Sequence, residues 1–231
     1  MAIIRHSQEI DEKKAKFLAM SQEEFDKYMC EKYPVMFEQR HKSMKESCMY
    51  WGFEIGKGWY WILADLCEKL DAIYKKTGVY ASFSQVKEKY GVACFYHAIG
   101  MKSNIFKRLY RRLRGRDWYG RDEKKFRVWA DVIDTLCEEA EALSSYICDT
   151  CAKDVENNIR IGTWYYGTCE ECLLKWRPHY KEEIDYWNRC NEVKELAVDA
   201  IYYADNGGLI AMEALAKQLE EARKNGTNKN N

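Results

Sequence analysis

From residue 126 the apolar positions recur as Phe126, Trp129, Ile133, Leu136, Ala140, Leu143 and Ile147. Steps of three and four alternate, so the pattern predicts one amphipathic helix of about six turns. Ile62, Leu63, Leu66, Leu70 and Ile73 predict a second buried-face helix that stops at Thr77 and Gly78. Ser21 followed by Glu24 has the form of a capping box, in which each side chain satisfies a backbone N–H of the other's residue. A short helix through Phe25, Tyr28 and Met29 should start there and weaken before Pro34. The segment from Val79 to Ile99, with Val86, Tyr90, Val92, Phe95 and Tyr96, suits two short strands, although Lys87, Glu88 and Lys89 would also suit a helix. Pro178 is placed to open a further helix, with Ile184, Trp187, Leu196 and Ile201 facing inward. Asn206, Gly207 and Gly208 would end it, and Met212, Leu215, Leu219 and Ala222 give a last amphipathic helix.

The expected fold is therefore mainly α with a small β component, an α+β class. An N-terminal region would cover 1–127, and the long helix together with the cysteine-rich stretch and the C-terminal helices would cover 128–224. A disordered polar tail is expected over 225–231. Gly52, Gly56 and Gly58 read as turn punctuation; the Gly56 to Gly58 stretch is too short for a phosphate-binding loop.

Composition narrows the class. The 231 residues carry 37 Lys and Arg against 37 Asp and Glu, are 47% hydrophobic and 14% aromatic, and include 2 prolines. Such a chain buries enough surface to fold without a covalent staple, which excludes intrinsic disorder. No stretch of 18 uncharged apolar residues is present, so no membrane role is expected. The first residues, with Arg5, His6, Glu9 and Asp11, lack the apolar run of an export signal. The expected location is a cytoplasm, where ten cysteines read as reduced thiols plus a metal site.

Cys148 and Cys151, then Cys169 and Cys172, form two C-x2-C pairs, the most specific feature of the chain. Two thiolates two residues apart can share one ion, and a second pair completes the tetrahedron that zinc accepts. Ile159, Ile161, Trp164 and Tyr166 between the pairs can form a hairpin, and Leu173 and Leu174 continue the second pair into a helix. Knuckle, hairpin and helix-borne knuckle is the order of a treble clef or zinc ribbon, here a module over 148–172 set between long helices. Four thiolates leave no open position, so a bound Zn2+ would be structural. The alternative is four free cysteines in a core. Cys30, Cys48, Cys67, Cys94, Cys137 and Cys190 read as single thiols; a second metal pair, if there is one, would be Cys94 with His97.

Between Lys102 and Arg127 lie eleven basic and three acidic residues, an excess of eight in a neutral chain. Arg108, Arg111, Arg112, Arg114 and Arg116, with Trp118 and Tyr119 beside them, suit contact with phosphates, bases or an acidic protein surface. The alternative is a solvated helix face paired with acidic stretches such as Glu138, Glu139 and Glu141.

No catalytic set emerges, and no enzyme activity is expected. The hairpin lacks the histidine that a treble-clef nuclease uses, and His179 lies beyond the second knuckle. Neither cysteine pair follows a proline, as a zinc deaminase would require, and a four-cysteine set is closed. Cys94 and His97, three residues apart in a strand, would sit on opposite faces.

Tyr33-Pro34 through Phe37, Cys48 through Gly52, Gly58-Trp59-Tyr60 running into Leu66 and Cys67, Gln85 through Gly91, Phe95-Tyr96 and the long helix entering Cys148 together resemble a family of small, uncharacterised zinc-binding proteins of bacteriophages and prophages. The likeness spans Tyr33 to Cys172. That family usually has glycine after the first cysteine pair, where this chain has Ala152, and a Gly-Leu-Arg-Phe stretch where it has Val92 to Phe95. The resemblance implies an accessory protein acting in the bacterial host cytoplasm, with no established activity. The expected function is a phage interaction protein with a structural zinc that binds and neutralises a host component, as an anti-defence inhibitor would, with a host protein as partner. The alternatives are a nucleic-acid-binding regulator using the 102–127 basic face, and sequestration of a small phosphorylated signal.

Overall fold

A computed structural model describes residues 8–102, 119–156 and 158–190, with the helix but not the side chains over 119–123. The chain groups into two units, one of residues 1–159 with 165–169, the other of 160–164 with 170–231. Helices and strands are both present, as an α+β class requires.

The first unit begins with α1 (Gln8–Leu18), which the apolar pattern does not announce: its buried positions are only Phe17 and the stem of Lys14. Lys14 reaches Asp154 at 3.0 Å and lies over the Trp61 ring, so α1 adds charge and cation–π contact to the apolar packing of Ile10, Phe17 and Leu18. The capping box of α2 (Gln22–Lys32) is formed: the Glu24 N–H donates to Ser21 Oγ and the Ser21 N–H donates to Glu24. Phe25 and Met29 then turn into the core, where Phe25 stacks flat on Tyr60 at 3.9 Å.

The buried helix predicted from Ile62 to Ile73 is α3 (Tyr60–Thr77), closed by Gly78 in the left-handed conformation. Its first turns are buried all round, because Tyr60, Trp61, Ile62, Leu63 and Ala64 all meet protein. The two expected strands are longer than the pattern suggested. β1 (Phe53–Glu54), β2 (Val79–Lys89) and β3 (Val92–Met101) form a sheet in that order. β1 runs parallel to β2, pairing Phe53 with Val86, and β2 pairs antiparallel with β3 from Val79 opposite Met101 to Lys89 opposite Val92. Tyr90 and Gly91 both take positive φ, the geometry of a two-residue hairpin turn. This turn resolves the ambiguity of Lys87 to Lys89 in favour of strand.

The long helix is α4 (Tyr119–Ser144), which begins earlier than its apolar seam. Ile133, Cys137 and Ala140 are buried, and Phe126, Trp129, Leu136 and Leu143 pack on the core. Ser144 ends it by donating its hydroxyl to Glu141 O, and three residues later Ile147 bridges to Asp154.

A short hairpin comes next, β4 (Ile159–Ile161) with β5 (Trp164–Tyr166), turned at Gly162 with φ +59. In the second unit, Gly162 N–H donates to Glu183 at 3.1 Å and the Arg160 guanidinium lies 5.7 Å from the Trp187 ring centre. α5 (Glu170–Trp176) begins directly after Cys169. Pro178 opens a single 3-10 turn (Pro178–Tyr180) and the chain is helical over 181–190. The expected helix end at Asn206 to Gly208, the last amphipathic helix and the tail fall outside the described residues.

Candidate metal centre

Cys148 lies beyond the end of α4 in a tight knuckle: its N–H donates to Lys153 O at 2.8 Å and its carbonyl accepts from Ala152 N–H at 3.0 Å. The knuckle requires Ala152 to take φ +57, in the left-handed region where an alanine is uncommon. Cys169 precedes α5 and Cys172 lies in its first turn, as a helix-borne pair should. The four sulfur atoms of Cys148, Cys151, Cys169 and Cys172 lie within 4.8 Å of one another, with Cys151 Sγ 3.7 Å from Cys169 Sγ. These residues could hold a metal ion, and among the described residues they form the one such cluster of His, Cys, Asp or Glu side chains.

The surroundings prepare Cys148 for thiolate. Burial pushes its thiol up, but the Thr168 hydroxyl and the backbone N–H groups of Cys169, Cys151 and Thr150 outweigh burial and hold it at about 7. The Cys169 N–H donates to Cys148 Sγ at 3.2 Å. Hydrogen bonds from N–H groups favour a charged sulfur, as a metal ligand needs.

The knuckle is tied to the rest of the first unit through Gly56, Gly58 and Trp59, of which the sequence offers the two glycines only as turn residues. Gly58 N–H donates to Asp149 O at 2.6 Å, Asp149 N–H donates to Gly167 O at 2.7 Å, and the Trp59 indole N–H donates to Ile147 O at 2.6 Å. A Cβ on Gly58 would stand 2.2 Å from Cys148 O, and one on Gly56 2.2 Å from Asp149 O. The two glycines are what let one backbone lie directly on the other. The spacing of glycines two apart, just before an apolar helix, was the available signal for this close approach.

The remaining cysteines separate from this centre. Cys67 and Cys137 are buried; burial pushes the Cys67 thiol well up and the Cys137 thiol to about 12. Cys30 is raised to about 11, mainly by burial, and Cys48 is exposed. Cys94 and His97 stand three residues apart in β3 and join no cluster: His97 contacts Asp134, and the Cys94 thiol is raised by burial. A cleft of about 460 Å³ lies between α3 and α4, lined by apolar residues such as Ile62, Leu66 and Leu143. Its Asp65 is committed to Lys13 at 2.8 Å and Lys69 at 2.9 Å.

Of the basic segment, Arg108, Arg111, Arg112, Arg114, Arg116 and Trp118 lie outside the described residues, as does the side chain of Tyr119. Among the described residues, no helix is long and apolar enough to cross a membrane. No protein-family model, no curated protein and no solved structure matches this chain.

Proposed function

We propose that this chain is a zinc-stabilised interaction protein of bacteriophage origin that binds and neutralises a host component, and that its metal shapes the fold and takes no part in chemistry. The observation that carries the reading is the closed set of four cysteine sulfurs. Zinc held by thiolates at about 2.3 Å places its ligands about 3.8 Å apart, close to the 3.7 Å between Cys151 and Cys169. With four protein ligands no position is left for water or substrate. The order of knuckle, β4–β5 hairpin and α5 supports a treble-clef-like module. Large apolar side chains face solvent, among them Trp51 at 60% and Trp164 at 70% exposure, and aromatic residues are the usual anchors of protein interfaces.

The test joins the metal and the partner. The protein purified from host cytoplasm should carry one equivalent of zinc, and a tagged copy should retain one stoichiometric host protein after nuclease treatment. Reversing the charge of Arg108, Arg111 and Arg112 should release that partner with zinc content and melting unchanged; unaltered binding would sink the assignment of those residues. The second reading is a nucleic-acid-binding regulator, favoured by the eleven basic residues from Lys102 to Arg127. It predicts nuclease-sensitive retention and an affinity that falls steeply with salt, because each neutralised phosphate releases counterions.

A further inference from the structure

β3 is an edge strand of its sheet, and its free edge is gripped by one face of α4. Ala93 N–H donates to Ser144 Oγ at 2.8 Å, and Phe95 N–H donates to Glu141 Oε1 at 2.6 Å. The third contact is through His97, whose Nε2 lies 2.9 Å from Asp134 Oδ1 while Nδ1 lies 2.8 Å from Phe95 O. Asp134, Glu141 and Ser144 are spaced by seven and three residues, so they share a helix face. Phe95 thus has both of its outward backbone groups satisfied by side chains, one from the helix and one from its own strand.

A carbonyl oxygen and an ionised carboxylate can only accept. Both ring nitrogens of His97 therefore must donate, which requires the imidazolium form. A neutral ring has one donor, and the local contact to Phe95 O, two residues away in the same strand, is the easier to keep. Loss of the proton would then set a lone pair of Nε2 against the Asp134 carboxylate. Histidine is the side chain whose charge ordinarily changes between about pH 5 and 8.

We propose that His97 is a pH-sensitive latch: as the imidazolium it fastens α4 to the β3 edge through Asp134, and on losing its proton it releases the Asp134 turn of the helix from the strand and loosens the neighbouring grip of Glu141 and Ser144. Of the titratable groups on α4, Asp134 contacts the ring, Glu141 is held by the Phe95 N–H two turns further on, and Asp131, Cys137 and Glu138 lie within a turn of Asp134. On β2 the residue opposite is Phe83, whose ring meets the imidazole edge to face at 6.1 Å. The charged residues of β2, Lys87, Glu88 and Lys89, pair with Cys94, Ala93 and Val92 further along the strand. From α3, Lys76 is engaged over the Trp129 ring. Only the imidazolium donates to both acceptors, so release accompanies rising pH.

The test is nitrogen-15 NMR of the full chain from pH 5.5 to 8.5, with amide hydrogen exchange of Ala93 and Phe95 corrected for the intrinsic pH dependence. Both His97 nitrogens should resonate as protonated at the acid end, and protection of the two amides should fall at least threefold as the ring titrates. In Asp134→Asn the amide nitrogen can donate to a neutral Nε2, so the fall in protection should disappear while the fold is retained. A ring nitrogen found unprotonated at pH 5.5, or the same change in protection in wild type and Asp134→Asn, would overturn the latch.

Discussion

The indole N–H of Trp59 donates to the carbonyl oxygen of Ile147 at 2.6 Å, across 88 residues of sequence. Trp59 is fully buried, and it stands between the glycine pair and α3, while Ile147 is the residue before the first metal-site cysteine. The bond therefore joins the entry to the core helix with the entry to the knuckle. Gly167 completes the contact, since a Cβ there would lie 2.5 Å from the Trp59 ring. The metal-site knuckle is thus packed into the first unit.

Trp59→Phe keeps an aromatic ring in place but leaves a buried carbonyl without its donor. Such an orphan costs about 1–3 kcal/mol, to which the smaller ring adds a packing loss. Urea unfolding should show the drop. Because the carbonyl precedes Cys148, the rate of metal release to a chelator should rise as well. A variant as stable as wild type with unchanged release would show that the bond is not structural.

Gly58→Ala drives a methyl group into Cys148 O, a backbone atom that a side-chain rotation cannot move aside. Overpacking of this kind costs about 1–3 kcal/mol or more. Gly162→Asn is the control: nothing lies within 4 Å of its Cβ, and asparagine tolerates the left-handed backbone at φ +59. Thermal unfolding should separate the two variants clearly, with Gly58→Ala well below and Gly162→Asn near wild type.

Elements with local signals were legible in the sequence. The capping box of Ser21 and Glu24, the α3 stripe and its Gly78 stop, and the α4 seam all arise from residues within a few turns of one another. The four cysteines come together as their spacing implies. What escaped was long-range. α1 buries Phe17 and packs Ile10 and Leu18 at the edge of the core, but Lys14 interrupts the stripe and reaches as far as Asp154, so its apolar pattern is short and broken. The grip of Asp134, Glu141 and Ser144 on β3 likewise uses polar residues, which an apolar pattern leaves unplaced. The glycines at 56 and 58 read as turns because their neighbour, the knuckle, is some 90 residues away.

Ala152, the residue after the first cysteine pair, takes φ +57, a left-handed backbone that suits glycine better than alanine. The left-handed backbone costs an alanine about 1–2 kcal/mol. Against this, its methyl is buried, worth roughly 0.8 kcal/mol, and glycine loses more chain entropy on folding. The terms nearly cancel, so Ala152→Gly should change stability by less than about 1 kcal/mol. Ala152→Val is different: a β-branched residue at positive φ, in a buried site, should cost well over that and loosen the metal. Differential scanning calorimetry of the pair decides it, and a Val variant equal to Gly would contradict the knuckle geometry.

Thiol labelling should divide the cysteines by environment. In the metal-loaded protein under native conditions, Cys48 should react with a maleimide while Cys67 and Cys137 stay unmodified, since both are buried and their thiols are held in the unreactive neutral form. Cys30, raised to about 11, should lag behind Cys48. Chelation should then expose Cys148, Cys151, Cys169 and Cys172 together, with a loss of folded signal, because a structural ion contributes to folding directly. Peptide mapping that found the four already labelled before chelation would count against a shared ion.

Asp65 sets an acid limit on the fold. Burial raises its carboxyl, but hydrogen bonds and charge from Lys13 and Lys69 outweigh burial and hold it below the usual carboxylate range. A carboxyl whose folded-state value is depressed contributes stability above its unfolded-state value, near pH 4, and that contribution is lost as pH falls through the folded value. The pair with Lys13 spans α1 and α3 at 2.8 Å, so its loss should loosen α1 first. Hydrogen exchange of α1 amides should therefore accelerate, relative to intrinsic rates, as pH drops from about 5 to 3. In Asp65→Asn that acid step should be reduced, with α1 already less protected at neutral pH because Lys13 keeps only its more exposed contacts with Glu9 and Glu68. An α1 whose protection is indifferent to both acid and the substitution would show that Lys13 and Asp65 do not hold it.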